Sequence, residues 1–198
     1  MSALFERLSA LHAAGFARPK PELFHHYRIQ PGESFRPAAV LMAVTERHDV
    51  PGFLLLHRPS NMRAHPGQIA FPGGKIDLDE TPVEAALREA WEELGIASER
   101  VRVVGPSDIY KTGSGYEITP VLAAVPADIE ISPNPTEVAQ WFEAPADFVL
   151  DPANHVERWA EWDGGLRPYY EIQWQDHCIW GVTAAILVNL SRRLNWHG

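Results

Sequence analysis

Glu80-Thr-Pro-Val-Glu-Ala-Ala-Leu-Arg-Glu-Ala-Trp-Glu-Glu-Leu-Gly95 follows a Phe71-Pro72-Gly73-Gly74 turn and reads as a short helix whose two ends are both written in the sequence. Thr81 can cap the N-terminus with Glu84 three residues on, Pro82 fits the first turn, and Gly95 suits the stop. Glu89, Glu92 and Glu93 stand at i, i+3 and i+4, so their carboxylates share one face. Val83, Leu87, Ala90, Trp91 and Leu94 fall at helical spacing on the other side. That stripe is predicted to pack on the core, with the acidic face turned away from it.

A row of glutamates on an amphipathic helix is often no more than a solvated face. Here only Arg88 is at hand as counter-charge, while Glu89 and Glu93 are like charges at i, i+4, a pairing that costs about 0.2–0.5 kcal/mol when nothing binds between them. A hard divalent cation reverses that sign. Carboxylate oxygens completed by water and substrate phosphate are what Mg2+ or Mn2+ prefers.

Gly74, five residues, Glu80, seven residues, then Arg88-Glu89-Ala90-Trp91-Glu92-Glu93-Leu94-Gly95-Ile96 resembles the Nudix box. Every fixed position is filled; Ala90 is smaller than the aliphatic residue often found there. The resemblance implies an α/β fold, a Nudix-type α/β/α sandwich with a mixed β-sheet. It also implies hydrolysis of a nucleoside diphosphate linked to another group, with Mg2+ or Mn2+ as cofactor. Carried over residue by residue, it makes Glu89 and Glu93 the principal metal ligands and Glu92 a further ligand or the general base. The Gly74 carbonyl becomes an additional ligand, and Glu80 and Arg88 orient the set.

Upstream, Leu54-Leu55-Leu56-His57-Arg58-Pro59-Ser60-Asn61-Met62-Arg63-Ala64-His65-Pro66-Gly67-Gln68-Ile69-Ala70-Phe71-Pro72-Gly73-Gly74 is similar to the motif of coenzyme A pyrophosphatases. The matching positions are Arg58, Arg63, Gly67 and Phe71 to Gly74, whereas Leu56 and Pro59 stand where that subfamily usually has Thr and Ser. Guanidinium forks pair with phosphate oxygens, so two arginines on a Gly- and Pro-bounded loop suit a polyanionic ligand. Arg58, Arg63, His65, Gly73 and Gly74 are the expected substrate contacts. His65 beside Pro66 has a competing role in bracing the turn. The resemblance extends to Gly115–Val121, Glu137-Val138 and Ile179–Ala184, and implies coenzyme A or a derivative as substrate. Lys111, Thr112, Ser114 and Tyr116 could line the cleft or form a plain polar turn.

The 198 residues, 45% hydrophobic, suit a single domain over 1–198, with an N-terminal helix and irregular extension over 1–36 and the box over 74–96. A net charge of −9 disfavours nucleic-acid polymers and anionic membranes, so phosphate recognition must be local. The expected partner is a small molecule, with a homodimer left open. The lone Cys178 excludes an intramolecular disulfide and, beside Ile179 and Trp180, reads as a buried thiol; a cytoplasmic setting is expected. His25, His26, His48, His57, His155, His177 and His197 show no metal-ligand spacing, and Trp174 and Trp180 read as core in preference to adenine-stacking residues. Leu4, Leu8 and Leu11 mark an N-terminal helix. Strands are predicted at 38–44, 53–56, 101–109 and 118–124, a hairpin from 156–162 and 169–174, and a C-terminal helix over 178–194.

Overall fold

The computed structural model describes residues 2–25, 32–47, 50–60, 67–162 and 165–196. Helix α1 (Ala3–Ala17) opens the chain, followed by β1 (Arg36–Thr45) and β2 (Gly52–His57). Two very short strands, β3 (Ile69–Ala70) and β4 (Gly73–Lys75), precede α2 (Pro82–Leu94). Then come β5 (Arg102–Pro106), β6 (Tyr110–Lys111), β7 (Tyr116–Ala124), β8 (Gln140–Pro145) and α3 (Ala146–Val149). The chain ends with β9 (Val156–Trp162), β10 (Gly165–Trp174), β11 (His177–Trp180) and α4 (Gly181–Leu194).

Among the described residues, eight strands form a mixed sheet along β3-β2-β1-β7-β5, with β4 on β1, β6 on β7 and β8 on β2. The β1–β7 pair is parallel, Ala38 opposite Ile118 through Val44 opposite Ala124, and the others are antiparallel. β1 and β7 read as near-continuous apolar runs because both sheet faces are covered. Period-two alternation sends Ala39, Leu41, Ala43, Leu54, Leu56, Val121 and Ala123 toward α2. Met42, Val44, Phe53, Leu55, Leu122 and Ala124 face α1 and α4 instead. The result is the expected α/β/α sandwich. A second sheet, β11-β10-β9, lies beside α4.

The site is positioned by a fork in the large sheet. Among the described residues, β1 and β2 are partners only at Val44–Phe53 and Thr45–Gly52. Beyond that they part, and the segment 69–75 fills the gap: β3 pairs with the end of β2, β4 with the start of β1, and Leu41 N–H donates to the Pro72 carbonyl at 2.8 Å.

Several expectations are corrected. The stretch 178–194 is not all helix: Cys178 to Trp180 continue β11, and α4 begins at Gly181, whose φ of +64° turns the strand into the helix. β5 stops at Pro106 rather than running to Ile109, and β8 was not expected at all. Trp91 is exposed rather than core, because the buried face of α2 is centred on Ala86, Ala90 and Glu93, and that rotation brings Glu93 in and leaves the indole out. Cys178 is exposed, since Ile179 takes the inward side of β11 and its neighbours face outward. Trp174 is half-buried against Phe148, with ring centroids 4.8 Å apart, whereas Trp180 is exposed.

Candidate active site

Helix α2 forms as its sequence dictates. Glu84 N–H donates to the Thr81 hydroxyl at 3.3 Å, Thr81 N–H donates to the Glu84 carboxylate at 2.8 Å, and Pro82 occupies the first turn. At the other end Gly95 is left-handed at φ +66°, and Gly95 and Ile96 N–H close the last turn on Trp91 and Ala90.

The helix lies against the filled fork. Glu93 is 3% exposed, and its carboxylate accepts from Gly73 N–H at 2.9 Å. Glu89 lies so close to Gly74 that a Cβ there would stand 2.2 Å from its Oε1, and a Cβ on Gly73 would stand 2.4 Å from the Ala39 carbonyl. The Gly73-Gly74 pair is therefore required by close approach, with carboxylate on one side and strand on the other. Glu89 and Glu93 thus do not look away from the core but are pressed into the fork.

Burial raises the pKa of Glu93 to about 8, with the neighbouring Glu89 and Glu137 adding to the rise and Gly73 N–H and Arg58 opposing it. Glu89 is also raised, by burial first, with Arg88 opposing. Arg88 is the hub of the rest: Nε and Nη2 hold the two oxygens of Glu80 at 2.9 and 3.0 Å, and Nη1 reaches Glu89 at 2.9 Å and Glu92 at 3.1 Å. Its Nη2 also donates to the Lys75 carbonyl at 3.0 Å, tying the helix to β4. The hydrogen bond from Arg88, with help from Asp77 N–H, lowers the pKa of Glu80. Glu92 does not converge with the other two carboxylates; it leans on Arg88 and is 47% exposed.

Glu89, Glu93, Gly73, Gly74 and Arg58 line one cleft of about 390 Å3. Thr112, Ser114 and Tyr116 line it too while also forming a polar turn, in which the Thr112 hydroxyl bonds the Ser114 hydroxyl and accepts from Tyr116 N–H, both at 3.0 Å; Lys111 pairs with Glu117 at 2.9 Å instead. Among the described residues, Arg58 Nε is buried with no hydrogen-bond partner. Arg63 and His65 lie outside the described residues. A larger and more open groove of about 770 Å3, on the outer side of α2 along Leu78, Arg88 and Trp91, contains none of Glu89, Glu93 or Arg58.

Glu137 and Trp180 also line the cleft; Glu137 is not singled out as a site by the sequence, and Trp180 reads there as core in preference to a stacking role. Glu137 is held by Asn134, whose side-chain amide donates to it at 3.2 Å and whose own N–H donates to the Glu93 carbonyl at 2.9 Å. The loop carrying Glu137 is thus built on the C-terminal turn of α2. No helical spacing links it to the box; an isolated Glu-Val before an unpredicted strand was the only sign.

Among the described residues, no three acidic, histidine or cysteine side chains already stand together as a cage for a metal ion. The donor set nevertheless suits a hard cation: the buried Glu93 and half-buried Glu89 carboxylates have raised proton affinity, and a third carboxylate, Glu137, faces the same space.

A family profile described as NUDIX domain matches residues 34–163, which contain the fork, α2 and the Glu137 loop. The chain is 38% identical over 164 residues to a protein named uncharacterized Nudix hydrolase NudL from Enterobacter sp. (strain 638), covering 80% of this chain and 83% of that one. A NudL of the same name from Yersinia enterocolitica is 38% identical over 180 residues, covering 87% and 90%. Among solved structures, the Nudix hydrolase RenU from M. smegmatis superposes with a TM-score of 0.50 at 27% identity, over 58% of this chain and 73% of that one. With the box residues gathered on a capped helix against the Gly73-Gly74 fork, these likenesses show that the chain belongs to the Nudix hydrolase family.

Proposed function

We propose that the chain hydrolyses the pyrophosphate of coenzyme A or a derivative, giving 3',5'-ADP and 4'-phosphopantetheine or its acyl form. The observation that carries the reading is Arg58: it lies in the segment that resembles coenzyme A pyrophosphatases, it lines the cleft that holds Glu89 and Glu93, and its Nε is buried with no partner among the described residues. A buried guanidinium N–H without an acceptor is costly, and a substrate phosphate oxygen supplies one.

Glu89 and Glu93 are the residues to hold Mg2+ or Mn2+, joined by Glu92 or the Gly74 carbonyl. A bound ion supplies charge neutralisation at the pyrophosphate oxygens and a lowered pKa for the attacking water. The chain's own groups do the positioning. Gly73 N–H fixes the orientation of Glu93, Arg88 holds Glu89, Glu92 and Glu80 in one network, and Arg58 aligns the phosphates. Water attacks phosphorus and the bridging P–O bond breaks; Glu92, paired with Arg88 beside the cleft, is assigned on the sequence motif alone as a further ligand or as the base that takes the proton from water. Arg63 and His65 are assigned to substrate on the sequence motif, Arg63 to the pyrophosphate or the 3'-phosphate.

The test is hydrolysis of coenzyme A, dephospho-coenzyme A, ADP-ribose and NADH at equal concentration, with Mg2+, with Mn2+ and with chelator. Coenzyme A is expected to show the highest kcat/KM, activity to vanish with chelator, and metal to restore it. Arg58→Ala is expected to lower kcat/KM by the equivalent of about 1.5–3 kcal/mol with folding unchanged. Faster turnover of ADP-ribose or NADH than of coenzyme A would overturn the substrate assignment. No hydrolysis of any of the four would favour a ligand-binding role on the same fold.

A further inference from the structure

We propose that the indole of Trp180 is the platform on which the cleft receives the flat base of its nucleotide substrate, making Trp180 a specificity residue outside the hydrolytic machinery. The inference rests on the nucleoside-diphosphate reading above and names the wall of the cleft that meets the base.

Trp180 ends β11 and is 37% exposed, yet it lines the same cleft as Arg58, Glu89 and Glu93. An indole left open to water gives up favourable burial, and one left open inside a ligand cleft has an obvious apolar partner in a substrate. The backbone puts it there. Ile179 takes the inward side of β11 and is fully buried, so Trp180 takes the opposite side. Gly181 follows in the left-handed region at φ +64°, with nothing within 4 Å of the place a Cβ would occupy, and swings the chain directly into α4. Val182 and Thr183, the next two residues, line the cleft as well. The ring is braced by Tyr169, edge to face at 6.2 Å and 73°, and Tyr169 is itself anchored by donating its hydroxyl hydrogen to Glu171 at 3.1 Å.

The other aromatic side chains of the cleft are less available. Phe71 is buried at 3% exposure. Tyr116 carries the Arg36 guanidinium 4.1 Å over its ring, and Arg36 is fixed there by donating to the Ser114 carbonyl at 3.2 Å. One face of Tyr116 is therefore already stacked. The lining thus combines a carboxylate and arginine set, suited to metal and phosphates, with an apolar set of Trp180, Val182 and Ile118. A nucleotide has the same two halves.

The experiment is calorimetric titration of 3',5'-ADP, 4'-phosphopantetheine and inorganic pyrophosphate, each with Mg2+, into the unaltered chain, W180L and W180F. A roughly 5- to 150-fold weaker binding of 3',5'-ADP is expected for W180L, the span of one base–aromatic stack, with pyrophosphate and phosphopantetheine unchanged. W180F is expected to keep most of the affinity. In turnover, W180L is expected to raise KM and leave kcat near normal. Unchanged nucleotide binding by W180L, an equal loss on pyrophosphate, or a loss on phosphopantetheine instead would each overturn the proposal. Failure of the coenzyme A reading is read separately, from the substrate panel on the unaltered chain. If another nucleoside diphosphate derivative is preferred there, its nucleotide half replaces 3',5'-ADP under the same criterion. Binding of no nucleotide more tightly than pyrophosphate sinks the platform.

Discussion

Helices α2 and α4 cover opposite faces of one sheet, and they are held there by different means. α2 has a capping box, a proline in its first turn and a left-handed glycine stop, yet only Ala85, Ala86, Ala90, Glu93 and Leu94 of its thirteen residues are buried. α4 has no side-chain cap at its N-terminus, and eleven of its fourteen residues are buried. Its polar residues are spent on distant parts of the chain: Thr183 donates to Ile69, Asn189 bonds both the N–H and the carbonyl of Phe24, Ser191 donates to Leu150, and Arg193 pairs with Asp108. α2 is thus specified locally, which lets its inner side carry one buried carboxylate, Glu93, and one half-buried, Glu89, that do nothing for packing. α4 is specified by tertiary burial, and has no such freedom.

The largest expected effect lies on α2. Glu93→Gln and Glu89→Gln are each expected to reduce turnover by orders of magnitude, since each removes a charged oxygen from the set assigned to metal. Glu93→Gln should nevertheless leave the metal-free fold as stable as before or more so, because it removes a carboxyl whose ionisation in the folded chain is disfavoured by burial first and by Glu89 and Glu137 after it. Hydrolysis assays beside thermal unfolding in chelator check both halves; near-normal turnover of Glu93→Gln would remove it from the site.

On α4 the expectation is reversed. Leu187 is fully buried, so Leu187→Ala is expected to destabilise by about 2–5 kcal/mol through lost burial and a residual cavity. Denaturant unfolding with an unchanged slope is the measurement. An effect below about 1 kcal/mol would mean that the site collapses readily and that α4 is not the packed element its burial indicates.

This contrast also explains what could be read from the chain alone. The ends of α2 were legible because Thr81, Pro82, Glu84 and Gly95 act within a turn of one another. The start of α4 was not, because nothing local marks it: Trp180 caps nothing, and the strand before it exists only through pairing with β10. Glu89 and Glu93 were found from spacing, but the burial of Glu93 was not, since the rotation of α2 is decided by how Ala86 and Ala90 fit the sheet. Glu137 reaches the cleft through Asn134 and the end of α2, a contact across about forty positions of sequence that no periodicity records. His57 and His177 hydrogen-bond at 2.9 Å across 120 positions, and again no spacing reveals it.

The two sides of the sheet should also respond oppositely to pH. Glu93 ordinarily titrates at 4.5 and is held up to about 8 by burial, so in that window the folded chain keeps a proton that the unfolded chain releases. Metal-free stability is therefore expected to fall as pH rises from about 4.5 to about 8. His57 moves the other way: burial first, and His177 second, lower its pKa below 6.5, so below that pH the unfolded chain takes up a proton that the folded chain refuses. Its contribution is lost as pH falls through 6.5 toward the lowered value. Unfolding followed from pH 5 to 9 is expected to lose its high-pH decline in Glu93→Gln and part of its low-pH decline in His57→Gln. Identical profiles for Glu93→Gln and the unaltered chain would show that the carboxyl is ionised throughout.

The smallest effect belongs to the best-written feature. Thr81→Ala removes the acceptor for Glu84 N–H and the hydroxyl that Glu84 grips at 2.7 Å, but leaves every buried contact of α2 in place. A lost N-cap is expected to cost about 1 kcal/mol. For a chain of this length that lowers the unfolding midpoint by about 2–4 °C. Activity with Mg2+ should be nearly unchanged, because Glu89 and Glu93 are held by Arg88 and Gly73 N–H rather than by the cap. A loss of turnover much larger than this stability change would mean that the first turn of α2 sets the register of the carboxylates against the fork. The local signals would then do more than start the helix, and the division between a locally written α2 and a packed α4 would have to be redrawn.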